Sequence, residues 1–506
     1  MRVSLIATGI SGLAFMRGVP GDRPHRCAPS ARRDMVSCRF FVRAATIRMT
    51  RPTSVFTAIL VAVAVAVFFM PVPTGMSAAT MHAAALVLLV IGLWALGAAP
   101  EYIVGLIFFA LAMLLSIAPA SVVFSGFASG TLWLVLGGLI IAEGVNRTGL
   151  GERFARFLLG RTTLSYRALI TAVVIVSSAL CFVMPATIGR VLLLLPIMSA
   201  VAERAGLARG RNGYNGVNLA VIMASYQVGT SILPSNAPNL VLAGAAETLY
   251  KTPLIYAEYL LVQFPVMGIL KALVIVMLIC RLFPDETRSG DAVAASKPMS
   301  AEERRLTAIL VAALALWATD FIHGVHPGWI GLAAGVLALL PRVGVMPVTA
   351  FTDSVKFGPF FYIAAVLGLG GVMSETGVSA MLGEVAQSAL QLKPDQDALN
   401  FGVLTLLATF AGVLVTNVAQ PALMAPLAGH FAEAAGWPLK AALMTMALGF
   451  TTLILPFQVP PVMVGVQIAG IRLRTVLRLS VPLMLVSFVV LLPLNYFWWR
   501  AIGYFG

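Results

Sequence analysis

A single arginine, Arg190, stands in the apolar stretch CFVMPATIGRVLLLLPI, which covers residues 181–197 and also contains two prolines. An arginine at the centre of a membrane costs from ~3 to more than ~10 kcal/mol, so a charge in such a position indicates a function. The planar guanidinium suits a carboxylate or a sulfate, which it binds through two parallel hydrogen bonds. The stretch therefore predicts a site for a small oxyanion.

Polar residues that suit the same chemistry stand in or beside four interruptions of apolar sequence, at residues 185–189, 233–238, 416–418 and 456–461. Helix breaks free backbone groups, which a membrane tolerates only where they line a cavity, and exposed helix N-termini attract anions. We expect the four breaks to converge on one site; the alternative is that each only kinks a packed helix. The predicted substrate-binding residues are Thr187, Arg190, Ser235, Asn236, Asn239, Thr416, Asn417, Gln420 and Gln458.

Other interpretations of the buried charges stay open at this point. Arg190 could instead pair with an acid such as Glu143 or Glu375, or extend to a wet cavity. Lys271 lies inside an apolar stretch without an adjacent break, which favours packing or snorkelling there. Glu143 and Glu375 end equivalent helices of two similar halves, where an interface position is favoured over proton coupling.

The composition is that of an integral membrane protein built from α-helices. Of the 506 residues, 59% are hydrophobic and 11% are charged, whereas soluble domains carry about 25% charged residues. A net charge of +14 would suit nucleic acid, but ten of the 34 Lys and Arg residues precede residue 52 and most others lie in short loops. Such charges orient a membrane protein, so the predicted partners are the lipid bilayer and a small anion, with no nucleic acid.

The cysteines and histidines predict neither a resident metal nor an enzyme. His323 and His326 have no third ligand nearby, and four of the five histidines lie in predicted tails or loops. A membrane-embedded enzyme would need such groups to converge at depth. The cysteines have no CxxC spacing that would suit zinc or a disulfide framework; they are Cys27, Cys38, Cys181 and Cys280.

The basic segment 1–53 has no sustained apolar periodicity. It is predicted to be a targeting extension, a disordered cytoplasmic tail or a misassigned start with Met49 as the true one, and the last two are favoured. A first transmembrane helix is assigned to residues 54–80.

Eleven stretches are apolar enough to cross a membrane, for which a helix needs roughly 20 residues. A further amphipathic segment, GLGERFARFLLG at residues 149–160, is predicted to lie on the membrane surface. The predicted spans are 54–72, 81–99, 102–119, 121–145, 214–232, 257–280, 306–322, 327–341, 357–378, 436–455 and 475–499.

Two other apolar stretches, 167–203 and 398–433, are too long for one span and too short for two. Arginines precede the first stretch, from Arg147 to Arg167, and follow it, from Arg204 to Arg211. If both clusters are cytoplasmic, the chain enters and returns on one side, so each stretch is predicted to be a re-entrant helical hairpin. The same rule places the N-terminus in the cytoplasm and the C-terminus outside the inner (plasma) membrane.

Three motifs recur in the same order at nearly the same spacing. NRTGL (146–150) recurs as SETGV (374–378), PATIGRVLLLLPI (185–197) as VTNVAQPALMAPL (415–427), and LPSNAPN (233–239) as LPFQVPP (455–461). An odd number of elements separates the copies, so the halves have inverted topologies, with repeat 1 at 81–283, a cytoplasmic linker at 284–305 and repeat 2 at 306–500. Inverted repeats with interrupted helices are typical of secondary transporters.

These motifs resemble the divalent anion:sodium symporter family, the carriers of dicarboxylates, citrate and sulfate, across residues 54–500. In that family each hairpin tip carries Ser-Asn-Thr ten residues before a proline. Here Thr416-Asn417-Val418 precedes Pro426 by that spacing, and Ala186-Thr187-Ile188 precedes Pro196. The family's Thr-Pro-Pro-Asn break is similar to residues 236–239 and 459–462.

The resemblance implies an elevator-type carrier, usually a homodimer, in which each protomer has a scaffold and a transport subdomain. It also implies sodium sites at the hairpin tips, which fall on Ala186, Thr187, Thr416 and Asn417. The chain lacks tip hydroxyls at Ala186, Ile188 and Val418, so sodium coupling is in doubt, above all at the first hairpin. Arg190 would there supply as a fixed charge what a bound sodium supplies in relatives.

The expected function is secondary active transport of a small dicarboxylate or sulfate-like anion, driven by Na⁺, H⁺ or a counter-anion. The alternative is a related ion carrier, such as an arsenite permease or a sodium/proton antiporter. An antiporter would normally need buried acids at the breaks, where the sequence has none. A channel is a further option, although paired helix breaks favour alternating access.

Overall fold

The structure is a computed structural model that describes residues 51–72, 76–153, 165–184, 186–288 and 298–506. The predicted basic segment up to residue 50, residues 154–160 of the predicted surface segment and residues 289–297 of the predicted linker lie outside these ranges. All regular elements of the described residues are helical, which confirms the predicted all-α class.

Eighteen helices organise the described chain, and we number them α1 to α18. Short turns join several of them, and some helices contain 3₁₀ or π segments. The helices are α1 Arg51–Phe68, α2 Ala78–Leu96, α3 Glu101–Leu114, α4 Gly130–Thr148, α5 Tyr166–Val183, α6 Thr187–Arg204, α7 Asn212–Met223, α8 Ala237–Tyr250, α9 Tyr256–Leu282, α10 Ala301–Ala318, α11 Pro327–Leu339, α12 Gly358–Glu375, α13 Val378–Leu390, α14 Asp397–Leu414, α15 Gln420–Ala435, α16 Leu439–Thr451, α17 Pro460–Ile468 and α18 Leu473–Ala501.

Six of these described helices are long and apolar enough to cross a membrane: α2, α5, α9, α12, α14 and α18. Four shorter apolar helices accompany them, at residues 54–68 and in α3, α11 and α16. Every predicted span corresponds to a helix, although the bounds differ. The helix assigned to 54–80 ends at Phe68, before Pro71, and the span predicted from 121 becomes a continuous helix only at Gly130. The amphipathic helix α13 was not predicted.

The two helices of the first predicted hairpin, α5 and α6, run antiparallel to each other. Tyr166 of α5 packs against Gly216 near the start of α7, where a side chain would clash with it. At the other end of α5, Cys181 donates to the Ser225 carbonyl just past α7 (3.7 Å). Helix α5 is therefore parallel to α7.

Helix α6 runs the opposite way along α7. Its Ser199, close to its C-terminal end, hydrogen-bonds to Asn218 of α7 (2.7 Å). Its Val191, near its first turn, approaches the same glycine of α17 as Ile222 does at the end of α7. Both outer ends of the α5–α6 pair consequently lie beside the start of α7.

The second predicted hairpin, α14 and α15, has the same arrangement relative to α16. Asp397 at the start of α14 accepts a hydrogen bond from the Trp437 indole (2.7 Å), just before α16. Ala408, further along α14, packs on Gly449 near the end of α16. At the start of α15, Gln420 donates to the Met446 carbonyl (3.3 Å). Each half thus contains an antiparallel broken pair packed on a third helix.

A single carboxylate, Glu247 of α8, joins α8 to the N-terminus of α4. The amide nitrogens of Gly130 and Thr131 donate to it (2.8 and 3.1 Å), and so do the hydroxyls of Ser129 and Thr131 (2.5 and 3.0 Å). His326, at the start of α11, lies 3.7 Å away. A helix N-terminus has free N–H groups and partial positive charge, so a carboxylate there is stabilising.

We predict that Glu247→Gln lowers the thermal midpoint of the purified protein in detergent. The amide NH₂ group of the new side chain cannot accept a hydrogen bond, so at least one N–H donor would lose its partner. The free energy of unfolding should fall by about 1–3 kcal/mol. The control is Glu143→Gln, which removes the partner of Arg147 in a partly exposed i,i+4 pair and should cost about 0.5 kcal/mol or less. Equal midpoints for the two variants would contradict this role of Glu247.

Candidate functional site

The first half of the candidate site is built around Arg190, on the first turn of α6. The side chain is fully buried. One guanidinium nitrogen donates to the Ser235 carbonyl (3.0 Å) and to the Met184 carbonyl. The other donates to the Ser225 carbonyl (2.7 Å) and to the Thr187 hydroxyl (3.1 Å).

The three carbonyls that Arg190 contacts belong to chain segments where helices end. Met184 follows α5, Ser225 lies in the π turn after α7, and Ser235 ends a 3₁₀ turn. Carbonyls at helix C-termini lack intrahelical partners and carry partial negative charge, so a cation stabilises them. Arg190 therefore holds together the hairpin tip and the break that follows α7.

Neither an acid partner nor solvent exposure, the two alternatives for Arg190, is found among the described residues. Arg190 forms no ion pair among them, and Glu143 instead pairs with Arg147 (2.5 Å). Glu375 makes no contact with Arg190 either, and because the guanidinium is fully buried it does not extend to a wet cavity.

In each half, one hairpin-tip side chain contacts the neighbouring break. Thr187 donates its hydroxyl to the Asn236 side-chain oxygen (3.2 Å) in the first half. In the second half the backbone N–H of Asn417 donates to the Gln458 backbone carbonyl (3.0 Å). The Gln458 side chain donates to the Asn417 side-chain oxygen (3.3 Å). The recurring motifs align Thr187 with Asn417, so the two halves use corresponding positions for the same contact.

Tyr226 connects the two halves. Its hydroxyl donates to the Phe450 carbonyl (2.8 Å) and accepts a hydrogen bond from the Asn417 side chain (2.8 Å). Sequence reasoning missed this residue because tyrosine in an apolar span is ordinary. The usable signal was the polar run SYQVGTS at 225–231, which lies inside a predicted span.

The remaining predicted residues stabilise the breaks from within. Asn239 donates to two carbonyls of the first break, those of Gly229 (3.2 Å) and Ile232 (2.8 Å). The Gln458 oxygen accepts from two successive amides of the second break, at residues 454 and 455 (2.9 and 2.7 Å). Thr416 accepts from the Ala419 amide (3.2 Å) and is only partly buried.

Several buried polar atoms of the site have no hydrogen-bond partner. Such an atom costs about 1–3 kcal/mol, and native proteins contain few of them. Seven of the sixteen such atoms among the described residues lie at the tips and breaks. They are Arg190 Nε, Ser225 Oγ, Gln227 Oε1, Ser235 Oγ, Asn236 Nδ2 and Asn239 Oδ1 in the first half and Gln420 Oε1 in the second.

The sequence favours packing or snorkelling for Lys271, and the structure is compatible with packing alone. Its side chain is fully buried, which excludes snorkelling, and its ammonium donates to the Thr451 carbonyl (2.5 Å). Thr451 is the last residue of α16. The preceding residues Phe264–Leu270 form a π-helical segment within the continuous helix α9.

The predicted sodium positions show no common ligand set. Ala186 precedes α6 without a side-chain cap, and Thr187 is occupied by Arg190 and Asn236. The carbonyl of Met184, two residues before Ala186, is bound by the guanidinium. Sodium coupling through Ala186, Thr187, Thr416 and Asn417 stays a prediction.

The apolar helices, the two broken pairs and the buried polar contacts between them define an all-helical membrane transporter. Two solved structures share this fold at 14% sequence identity. One is the YdaH transporter of Alcanivorax borkumensis, with a TM-score of 0.53 over 76% of this chain and 88% of that one. The other is MtrF of Neisseria gonorrhoeae, described among antimetabolite efflux pumps, with a TM-score of 0.50 over 91% and 97%.

The chain belongs to the family described as the sodium:sulfate symporter transmembrane region, whose model matches residues 53–505. This confirms the family resemblance of the motifs. A membrane protein of Cupriavidus necator is 26% identical over 397 residues, 75% of this chain and 76% of that protein. The L-tartrate/succinate antiporter of Escherichia coli K12 is 25% identical over 285 residues, 53% of this chain and 57% of the antiporter.

We predict that Gly229→Ala disturbs the Arg190 contacts. A Cβ at this position would lie 2.8 Å from the guanidinium and 2.9 Å from the Ser235 hydroxyl. The guanidinium cannot shift without losing a carbonyl, so the variant should lose about 1–3 kcal/mol and unfold at a lower temperature.

The matched control is Gly402→Ala in α14, where a Cβ meets nothing within 4 Å. Alanine is a better helix former than glycine, so this variant should be neutral or up to about 1 kcal/mol more stable. A Gly229→Ala protein as stable as the Gly402→Ala protein would show that the guanidinium is not tightly held.

Proposed function

We propose that the protein is a secondary active transporter of a small anion with two carboxylates or a sulfate-like group. The observation that carries the proposal is the fully buried guanidinium of Arg190, which has no acid partner among the described residues. A buried charge without a charged partner is destabilising, and only carbonyl and hydroxyl oxygens contact this guanidinium among the described residues, so its positive charge is available to attract an anion. Membership of an anion-transporter family supports the same substrate class.

The backbone near Arg190 and near its repeat counterpart, Gln420, also attracts anions, in addition to the guanidinium charge. Helices α6, α8, α15 and α17 all begin at a tip or a break. Their N-termini present free N–H groups and partial positive charge toward the polar cluster. The amide of Asn236 and the hydroxyl of Ser225, which lack protein partners, are suitable donors to carboxylate oxygens.

We further propose that transport is an exchange of anions and that the first half needs no sodium. In transporters with broken helices, carbonyls at helix C-termini coordinate the coupling cation. Here Arg190 already binds three such carbonyls. The name of one relative, an L-tartrate/succinate antiporter, supports the exchange of dicarboxylates.

The proposal includes an elevator-type movement in a homodimer of the cytoplasmic membrane, with the N-terminus in the cytoplasm and the C-terminus outside. The outer ends of α5 and α6 lie together, as do those of α14 and α15, which supports two re-entrant hairpins.

A sodium/proton antiporter is less well supported. Among the described residues the buried acids are Glu303 and Asp320, and neither lies at a tip or a break.

The function is tested by uptake of labelled succinate and sulfate into proteoliposomes that contain the purified protein. We expect uptake to be accelerated by unlabelled succinate inside and unaffected when external sodium is replaced by choline. Strict dependence on sodium would overturn the exchange proposal. Absence of any anion uptake, with the protein folded, would overturn the proposed function.

Arg190→Gln should lower the rate of succinate exchange by about 10- to 100-fold, the equivalent of losing one or two charge-assisted hydrogen bonds. Arg190→Lys keeps the charge but cannot reach three carbonyls at once, so its exchange rate should fall between those of the wild type and Arg190→Gln. The control is Arg147→Gln, a partly exposed arginine. Wild-type exchange by a folded Arg190→Gln protein would show that the charge has no role.

A further inference from the structure

We infer that Lys271 is a second fixed cation of the site and that it determines a preference for doubly over singly charged anions. The inference rests on the proposed function, because it concerns the substrate of the same site. It goes beyond Arg190, since Lys271 lies on a different helix and serves the other half of the molecule.

The ammonium of Lys271 lies at the C-terminal end of α16. Its acceptor, the Thr451 carbonyl, belongs to the last helical residue, after which Thr452 has an extended backbone (φ −105°, ψ 96°). This carbonyl therefore lacks an intrahelical partner. Among the described residues it is the sole hydrogen-bond acceptor for Lys271, and no acid forms an ion pair with it.

Lys271 does for α16 what Arg190 does for α7. These two helices precede the two breaks that recur in the sequence, LPSNAPN and LPFQVPP. Arg190 binds the Ser225 carbonyl after α7 (2.7 Å), and Lys271 binds the Thr451 carbonyl of α16 (2.5 Å). The cations come from different places in the chain, because the repeat counterpart of Arg190 is the neutral Gln420.

The ammonium adjoins the second hairpin tip. The residue before Thr451 is Phe450, whose carbonyl accepts hydrogen bonds from Asn417 (3.1 Å) and Tyr226 (2.8 Å). Successive Cα atoms are about 3.8 Å apart. Lys271 and the tip residue Asn417 therefore bind the carbonyls of two successive residues, Thr451 and Phe450.

A π-helical segment, Phe264–Leu270, directly precedes Lys271. Gln263, before this segment, and Lys271, after it, both donate to α16, to the carbonyls of Met444 (3.4 Å) and Thr451. Such π segments often occur at functional sites.

Two fixed cations, one bound beside the end of α7 and one at the end of α16, match an anion that carries two charges. Coulombic attraction is proportional to the product of the charges. The loss of either cation should therefore weaken binding of a dianion about twice as much, in free energy, as binding of a monoanion of the same shape. A lysine that only capped α16 would affect stability without changing this preference.

The experiment compares succinate with monomethyl succinate as inhibitors of labelled succinate exchange in proteoliposomes. The variants are Lys271→Met, which keeps the apolar stem, Lys271→Gln and Lys271→Arg. We expect the wild type to prefer succinate at least tenfold, the two neutral variants to lose most of that preference, and Lys271→Arg to retain it. The control is Lys440→Gln, which removes a half-buried lysine paired with Glu258.

An unchanged preference in a folded neutral variant would overturn the inference and leave the proposed function intact, whereas a wild type without anion exchange would overturn both. Should neither neutral variant fold, thermal stabilisation of the Arg190→Gln protein decides, because the first cation is then absent. Greater stabilisation by succinate than by monomethyl succinate supports the second cation, and equal stabilisation by the two overturns it.

Discussion

The structure depends on how broken helices satisfy their backbone carbonyls in apolar surroundings. Each break after α7 and α16 leaves carbonyls without an intrahelical donor, and the bilayer offers no water to replace it. The chain answers with side-chain cations: Arg190 binds three carbonyls and Lys271 binds one. Arg190 and Lys271 also place positive charge where the two halves meet. In the proposed function, the same two side chains therefore satisfy the backbone carbonyls and attract anions.

The site contains strong charge-assisted hydrogen bonds and weaker neutral ones. This difference suits the proposed alternating access, in which some contacts must break while others persist. Charge-assisted hydrogen bonds, such as those of Arg190, are roughly twice as strong as neutral ones. The contacts between tip and break are neutral, for example Thr187 with Asn236 and Gln458 with Asn417, at 3.2 and 3.3 Å. Each contributes about 1 kcal/mol net. In the proposed transport cycle, a substrate carboxylate replaces the neutral contacts while the cations stay in place.

Much of this architecture is readable from the sequence because the bilayer imposes few solutions. Apolar length predicted the helices, and the repeated motifs predicted that Thr187 and Asn417 occupy equivalent positions. The partner of Arg190 was not readable, because three backbone carbonyls leave no mark in the sequence. The position of Lys271 was missed for a similar reason: the π segment 264–270 contains only apolar residues and Pro265, and nothing in its pattern shows the altered turn.

The two cations differ in a way that bears on the site's selectivity. Four acceptors hold the planar guanidinium of Arg190, which fixes both its position and its orientation. Lys271 has one acceptor, and a flexible ammonium can turn its other N–H groups without losing that contact. The charge beside α7 is therefore rigid with defined geometry, whereas the charge beside α16 is compact and adjusts. In the proposed function, anions that share one oxyanion group but differ in length would bind beside Arg190 and be accommodated by Lys271.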